Sequence, residues 1–165
     1  MGATAAPQHD PESRLAHDDH EALRLWLRLF TSSTMVERTV DSALKRAFGS
    51  SLPRFDLLAQ LHRVPEGLRM GELSERTLTT NGNVTWLVAA LEREGMVRRR
   101  VVAEDRRATV VRLSAAGKRH FEAMAQMHER LIAELFETMS PAERRALHSA
   151  LGTLKSRVRP IPEPV

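Results

Sequence analysis

The 165-residue chain contains no cysteine, and this absence excludes several functions at once. Without thiols it can form no disulfide, no cysteine-ligated zinc site and no thiol redox sensor. No stretch approaches the roughly 18 consecutive apolar residues of a membrane span. The N-terminus also lacks a basic segment followed by an apolar one, so no secretory signal is expected and a cytoplasmic location fits best. Aromatic residues make up only 4%, so Leu, Val, Ala and Met must form most of the core.

Enzyme signatures are also missing. The seven histidines are scattered, and the sequence has neither a glycine-rich phosphate loop nor a motif for a serine or cysteine nucleophile. We therefore expect a protein that is not an enzyme and that needs no cofactor.

Positive charge, in contrast, is concentrated in one segment. The formal net charge is only +4, but residues 96–120 carry eight Arg and Lys side chains against two carboxylates. Such an excess points to a polyanionic partner, although a solvated charged surface is the commoner explanation of a charge run.

Helical periodicity dominates the chain and is interrupted by one hairpin pattern. The predicted elements begin with a long helix from about His17 to Phe48 and a helix after the N-cap Ser51. A linker over 69–71, a brief helix over 72–77 and a helix capped by Thr80 and ended by Gly95 follow. Next come strands over 96–102 and 108–113 around a charged tip, a helix capped by Ser114, and a last helix opened by the capping box of Ser140 and Glu143.

These elements predict a mainly α fold with a small β-hairpin wing. We predict a disordered tail over 1–15, dimerisation helices over 16–48 and 114–158, a winged helix-turn-helix domain over 51–113, and a Pro-rich tail over 159–165. The apolar stripes of the flanking helices have no partner within 51–113, so we expect them to pair with a second copy of the chain. A monomeric helical cap is the alternative.

The helix-turn-helix arrangement places its second helix in the major groove of double-stranded DNA. Small hydrogen-bonding side chains open that helix, and a basic hairpin follows it. The candidate DNA contacts are Thr80, Asn81, Asn83, Thr85, Trp86, Arg98, Arg100, Asp105, Arg106 and Arg107. We expect Arg107 to enter the minor groove and Asp105 to orient an arginine. For Trp86, packing on the helix flank and contact with a thymine methyl or a sugar are both open.

Residues 78–97 resemble the recognition helix of the MarR (multiple antibiotic resistance regulator) family. Residues 102–117, with the Asp-x-Arg at Asp105 and Arg107, are similar to its wing, and the arrangement is similar over about 20–157. The family more often has a small or basic residue at the position of Trp86. The resemblance implies a homodimeric repressor, less often an activator, that binds a palindromic operator and is released by a small ligand.

The resemblance also implies a ligand pocket between the dimer helices and the DNA-binding domain. Its lining would be Trp26, Phe30, Met35, Phe55, Leu58 and His62, although the same residues are equally suited to a plain core. The segments around Pro53, Gly71 and Gly82 look like the branch that senses aromatic acids or their CoA thioesters. In that case Arg24, Arg28 or Arg38 would meet a carboxylate or phosphate.

Two other functions stay open. A metal-responsive regulator would use His17, Asp18, Asp19 and His20, with His62 as a further ligand. A sequence-neutral architectural protein would bind operator and random duplex with similar affinity.

Overall fold

The computed structural model of the chain describes residues 20–77, 81–102 and 105–158, without the side chains of Asn81 and of residues 102–108. Its elements are α1 (Glu21–Phe48), α2 (Leu52–Arg63), β1 (Leu68–Arg69), α3 (Met70–Arg76), α4 (Asn81–Arg93), β2 (Val97–Val102), β3 (Asp105–Leu113), α5 (Ala115–Phe136) and α6 (Pro141–Arg157). The mainly helical fold with a small antiparallel sheet is the predicted class. None of the described helices is long and apolar enough to cross a membrane.

The core of the helix-turn-helix is built on the apolar stripe of α4. Val84, Leu87, Val88 and Leu91 recur at i, i+3, i+4 and i+7, and each is less than 5% exposed. Leu73 of α3 is fully buried, as predicted. Burial of each such side chain contributes about 1.5–3 kcal/mol relative to exposure, so this stripe fixes which face of α4 turns outward.

The sheet has a third strand that the sequence analysis missed. The strand order is β1-β3-β2, and Leu68 pairs with Val111 of β3. Residues 69–71 were predicted as a linker, but Arg69 lies in β1 and α3 begins at Met70. A two-residue strand is too short to show alternation, so only its pairing with β3 reveals it.

The hairpin strand β3 also begins earlier than predicted. Its backbone starts at Asp105, so the prediction of a tip over 103–107 was wrong for 105–107. The partner of Val101 is Thr109, but that of Val102 is Asp105, which makes the register irregular at this step. A run of charged residues is typical of a turn, whereas strand pairing depends on backbone hydrogen bonds and not on these side chains.

The start of α2 is capped from another helix. Ser51 holds the N-cap position, but its side chain makes no cap hydrogen bond, so the predicted cap was wrong. Instead the Leu52 N–H donates to Asp41 Oδ1 of α1 at 2.9 Å. The Lys45 ammonium, 2.6 Å from Asp41 Oδ2, and then the Leu52 N–H hold the pKa of Asp41 below its usual value. A carboxylate is a stronger acceptor than a hydroxyl, and it reaches α2 only through tertiary packing.

The two other predicted serine caps are confirmed. Ser114 Oγ accepts from the Gly117 N–H at 2.9 Å, and it donates to the Gly95 carbonyl at 2.6 Å. Gly95 has φ +71°, the left-handed conformation expected of a helix-ending glycine. Ser140 and Glu143 form the reciprocal capping box of α6. The Thr80 cap lies outside the described residues.

The described chain forms two compact units, one ending at Phe121 and one beginning at Glu122. In the first, α1 buries only Val40 and Leu44, and its N-terminal half leaves large apolar side chains exposed. In the second, α6 buries none of its residues. Its exposed apolar side chains are Leu147, Leu151 and Leu154, followed by Val158 just past its end. Both helices therefore present apolar stripes without a partner inside their own unit.

Candidate nucleic-acid interface

The outward face of α4 carries three of the predicted contacts. Asn83, Thr85 and Trp86 are all exposed, and Trp86 keeps 63% of its surface accessible. They lie away from the stripe that packs inward. Thr80 and the side chain of Asn81 are outside the described residues, although the backbone of α4 begins at Asn81.

Strand β2 adds two exposed cations beside this helix. Arg98 and Arg100 occupy alternate positions of β2, and side chains two residues apart share a sheet face. Both are exposed, as a contact with phosphate requires. Asp105, Arg106 and Arg107 belong to β3 by their backbone, but their side chains are outside the described part of the chain, so their roles stay predictions.

Arg99 is bound to the helix instead of being directed at DNA. Its Nε donates to Glu92 Oε2 at 2.6 Å, and its backbone N–H donates to Glu92 Oε1 at 3.2 Å. The guanidinium lowers the pKa of Glu92, and the carboxylate in turn raises that of Arg99. Unlike Arg98 and Arg100, Arg99 was not a predicted DNA contact, and its side chain pairs with Glu92 of α4. The ion pair between Arg99 and Glu92 holds β2 against α4 and therefore also fixes the position of Arg98 and Arg100.

The residues predicted to line the ligand pocket fall into two groups in the structure. Trp26 and Phe30 contact each other with ring centroids 5.7 Å apart, and both are more than half exposed, as is Met35. Phe55 and Leu58 are buried. At 1.5 Å per residue, Phe30 lies about 15 Å along α1 from Val40, where burial of α1 begins. The first group is therefore exposed on α1 and the second is buried in the core, and a pocket lined by both stays a prediction.

An aromatic cluster forms around the second group. Phe55 stacks on Phe121 at 5.4 Å, and His62 lies 4.7 Å from the same ring. A surface cavity of about 400 Å³ adjoins His62, and its lining is Leu61, His62, Pro65, Leu113, Ser114, Ala115 and Lys118. Only His62 was predicted. Leu61 and Pro65 come from the end of α2 and the segment after it, and the remaining residues come from the junction of β3 and α5, which no local sequence pattern marks. Arg24, Arg28 and Arg38 of α1 are not among the residues of this cavity.

The described residues contain no group of three or more His, Asp or Glu side chains arranged to hold a metal ion. Of the predicted ligands, His17, Asp18 and Asp19 lie outside the described residues.

A short helix, a longer helix that begins five residues after the end of the first, and a basic pair of antiparallel strands are the elements of a winged helix-turn-helix protein. The sequence profile of the MarR family matches residues 48–108. A solved MarR family transcriptional regulator from Silicibacter pomeroyi is 33% identical, with a TM-score of 0.74, covering 87% of this chain and all of the other. The chain therefore belongs to the MarR family and is a transcriptional regulator, not an enzyme.

Two further relatives extend the comparison. The transcriptional repressor YetL of Bacillus subtilis is 29% identical over 144 residues, which cover 87% of this chain and 86% of YetL. The MarR family regulator Sco3205 of Streptomyces coelicolor, solved in complex with DNA, is 24% identical and shares the fold with a TM-score of 0.77. That match covers 93% of this chain and 94% of Sco3205.

Proposed function

We propose that the chain is a sequence-specific regulator that binds double-stranded DNA with α4 in the major groove. The observation that carries the proposal is the joint exposure of Asn83 and Thr85 on α4 and of Arg98 and Arg100 on β2. Side-chain amides and hydroxyls bond to base edges, and arginines neutralise phosphates. The complex of Sco3205 with DNA supports the same use of this fold.

The regulator acts, in this proposal, as a homodimer on a palindromic operator. The exposed apolar stripes of α1 and α6 support this, because a second copy would remove both from water. Two-fold symmetry also fits paired half-sites about 34–36 Å apart. A dimer bound to a promoter blocks transcription, so we propose that the chain is a repressor. The relative YetL is named a repressor, which supports this role. Since its target is chromosomal DNA, we place the protein in the cytoplasm.

Release from DNA would follow from binding of a small aromatic acid or its CoA thioester. The support is the cavity at the end of α2, whose volume of about 400 Å³ is in the range of small-molecule sites. The cationic side chain of Lys118 suits a carboxylate, and the imidazole of His62 offers a flat face to an aromatic ring.

We expect benzoate, the probe of this class, to weaken DNA binding. The variant Lys118→Met should need about tenfold more benzoate for the same effect, because an ion-paired hydrogen bond is worth about 1.5 kcal/mol. Fluorescence anisotropy of labelled DNA measures both. Phenol, which has the ring without the carboxylate, is the control. Equal benzoate sensitivity of the two proteins would exclude this cavity as the site.

The DNA-binding proposal is tested at Arg98 and Arg100, the two exposed arginines that share one face of β2. Arg98→Ala with Arg100→Ala should weaken binding to any duplex and lower the slope of log affinity against log salt by about 1.8, because each phosphate contact contributes about 0.9. Arg130→Ala, in α5 and outside the helix-turn-helix and the sheet, removes one positive charge elsewhere and is the control. Anisotropy titrations from low to physiological salt give both slopes. An unchanged slope would remove β2 from the interface.

A further inference from the structure

Trp86 occupies the outermost ridge of α4. At 100° per residue, it projects about 150° from the centre of the buried stripe formed by Val84, Leu87, Val88 and Leu91. Among residues 83–88 of α4, no described side chain points more directly away from the core. This position explains why an indole, which usually buries most of its surface, remains 63% exposed.

The neighbours of Trp86 along this ridge are small. Gly82 lies one turn before it and Ala89 one turn after it. The backbone of Gly82 is not in the left-handed region, and a Cβ there would have no heavy atom within 4 Å. Neither conformation nor packing therefore requires glycine at this position. Because Gly82 has no side chain, the ridge is uncovered on the N-terminal side of Trp86, the side toward which a helical side chain leans.

Among the described side chains of residues 83–88, the indole therefore reaches furthest from the helix axis on the face that would enter a groove. Asn83 and Thr85 lie on its two flanks, shorter and polar. In the major groove the only apolar group on a base edge is the C5-methyl of thymine. An indole that covered the polar groups of a base edge would leave their donors and acceptors without hydrogen-bond partners. A methyl group forms no hydrogen bonds, so contact with the indole removes none.

We propose that Trp86 is a specificity-determining residue, and that its indole selects half-sites by contact with the C5-methyl group of thymine. The inference rests on the proposed DNA-binding function and deepens it. It assigns Trp86 to the choice of sequence, while Arg98 and Arg100 supply affinity that does not depend on sequence.

The test removes only methyl groups from the DNA. The probe is the tightest duplex from a binding selection on random 30-base-pair DNA, synthesised with deoxyuridine in place of thymidine at one symmetric pair of positions at a time. Uracil keeps every hydrogen-bonding group of thymine. At the contacted pair we expect wild-type affinity to fall about fourfold for each methyl, the value of one buried methylene. Trp86→Ala should bind the thymine and uracil duplexes equally.

The controls separate this inference from the function on which it rests. Because Trp86 is exposed, Trp86→Ala should keep the helical content and melting temperature of the wild type, and Thr85→Ala should keep the preference for thymine over uracil. Failure of the wild type to bind any duplex would overturn the DNA-binding function itself. Tight binding without a thymine preference at any position would overturn the assignment of Trp86 alone, as would an equal preference in Trp86→Ala.

Discussion

Replacing Gly117 by alanine is expected to destabilise the protein by about 3 kcal/mol, at the upper end of the cost of overpacking a well-packed site. Gly117 lies in the first turn of α5, against the backbone of Met96. A Cβ at Gly117 would overlap the Met96 carbonyl oxygen and lie 2.8 Å from its carbonyl carbon. A flexible side chain could rotate away from such a contact, but a peptide group cannot.

The Met96 peptide is also held on both sides. Its N–H donates to the Leu91 carbonyl at 2.8 Å, which closes the C-terminus of α4. Its carbonyl accepts from the Ser114 N–H at 3.0 Å, at the point where β3 passes into α5. Any shift that admits the methyl group must break one of these bonds. The substitution therefore destabilises the junction that fixes α4 to the sheet.

Thermal unfolding followed by circular dichroism measures the effect. For a chain of this length about 3 kcal/mol corresponds to a melting temperature lower by about 6–12 °C. Gly152→Ala, in α6, is the matched control, because a Cβ there meets nothing within 4 Å. It should stabilise the helix by up to about 1 kcal/mol. Both variants are compared at one protein concentration. Equal melting temperatures for the two variants would refute the proposed overlap at Met96.

The features that the sequence predicted correctly depend on neighbouring residues. The apolar face of α4, the Ser114 cap and the Ser140 capping box are each defined within seven residues of sequence, where helical geometry alone sets the contacts. The exposure of Asn83 and Thr85 follows from the same periodicity, because a stripe that packs inward leaves the opposite face outward.

The features that the sequence missed depend on contacts between elements. Asp41 caps α2 across eleven residues and competes with the adjacent Ser51, which a local rule favours. Arg99 looks like its neighbours Arg98 and Arg100 until Glu92 is brought beside it by the packing of α4 on β2. Strand β1 exists only because β3 passes next to it. In each case tertiary packing selects the partner, and a local sequence rule does not include that packing.

The different exposure of the residues predicted to line the ligand pocket has a related reason. An apolar stripe shows that a surface must leave water, but it does not identify the surface that covers it. Trp26 and Phe30 follow the same helical spacing as Val40 and Leu44, yet the first two are exposed and the last two buried. The sequence can predict stripes, while their assignment to core, pocket or partner requires the packed structure.

Replacing leucines of the apolar stripe of α6 by aspartate is expected to dissociate the proposed homodimer and to weaken operator binding at least 100-fold. Leu147, Leu151, Leu154 and Val158 are spaced 4, 3 and 4 residues apart, the pattern of a helix that packs lengthwise on another helix. In the double variant Leu151→Asp with Leu154→Asp, the carboxylates would be buried without partners in the dimer. In the monomer they remain in water, since both positions are already 39% and 45% exposed there.

The substitutions therefore act on assembly and leave the fold of the chain intact. Light scattering should give a mass of 18.6 kDa for the variant and twice that for the wild type. The loss of affinity is large because the second half-site of a dimer binds at a high effective concentration, which is worth about 10²–10⁴ in overall affinity. Ser149→Asp places one carboxylate on the opposite face of α6 and should change neither mass nor affinity.

The two measurements have separate consequences. A double variant that keeps the dimer mass would show that the α6 stripe is not part of the interface. A monomer that still binds the full operator as tightly as the wild type would show that one reading unit suffices, and would contradict the palindromic operator. If both properties are lost together, the exposed leucines of α6 join two copies of α4 at a fixed spacing. The same geometry then explains why each winged helix can bind only weakly by itself.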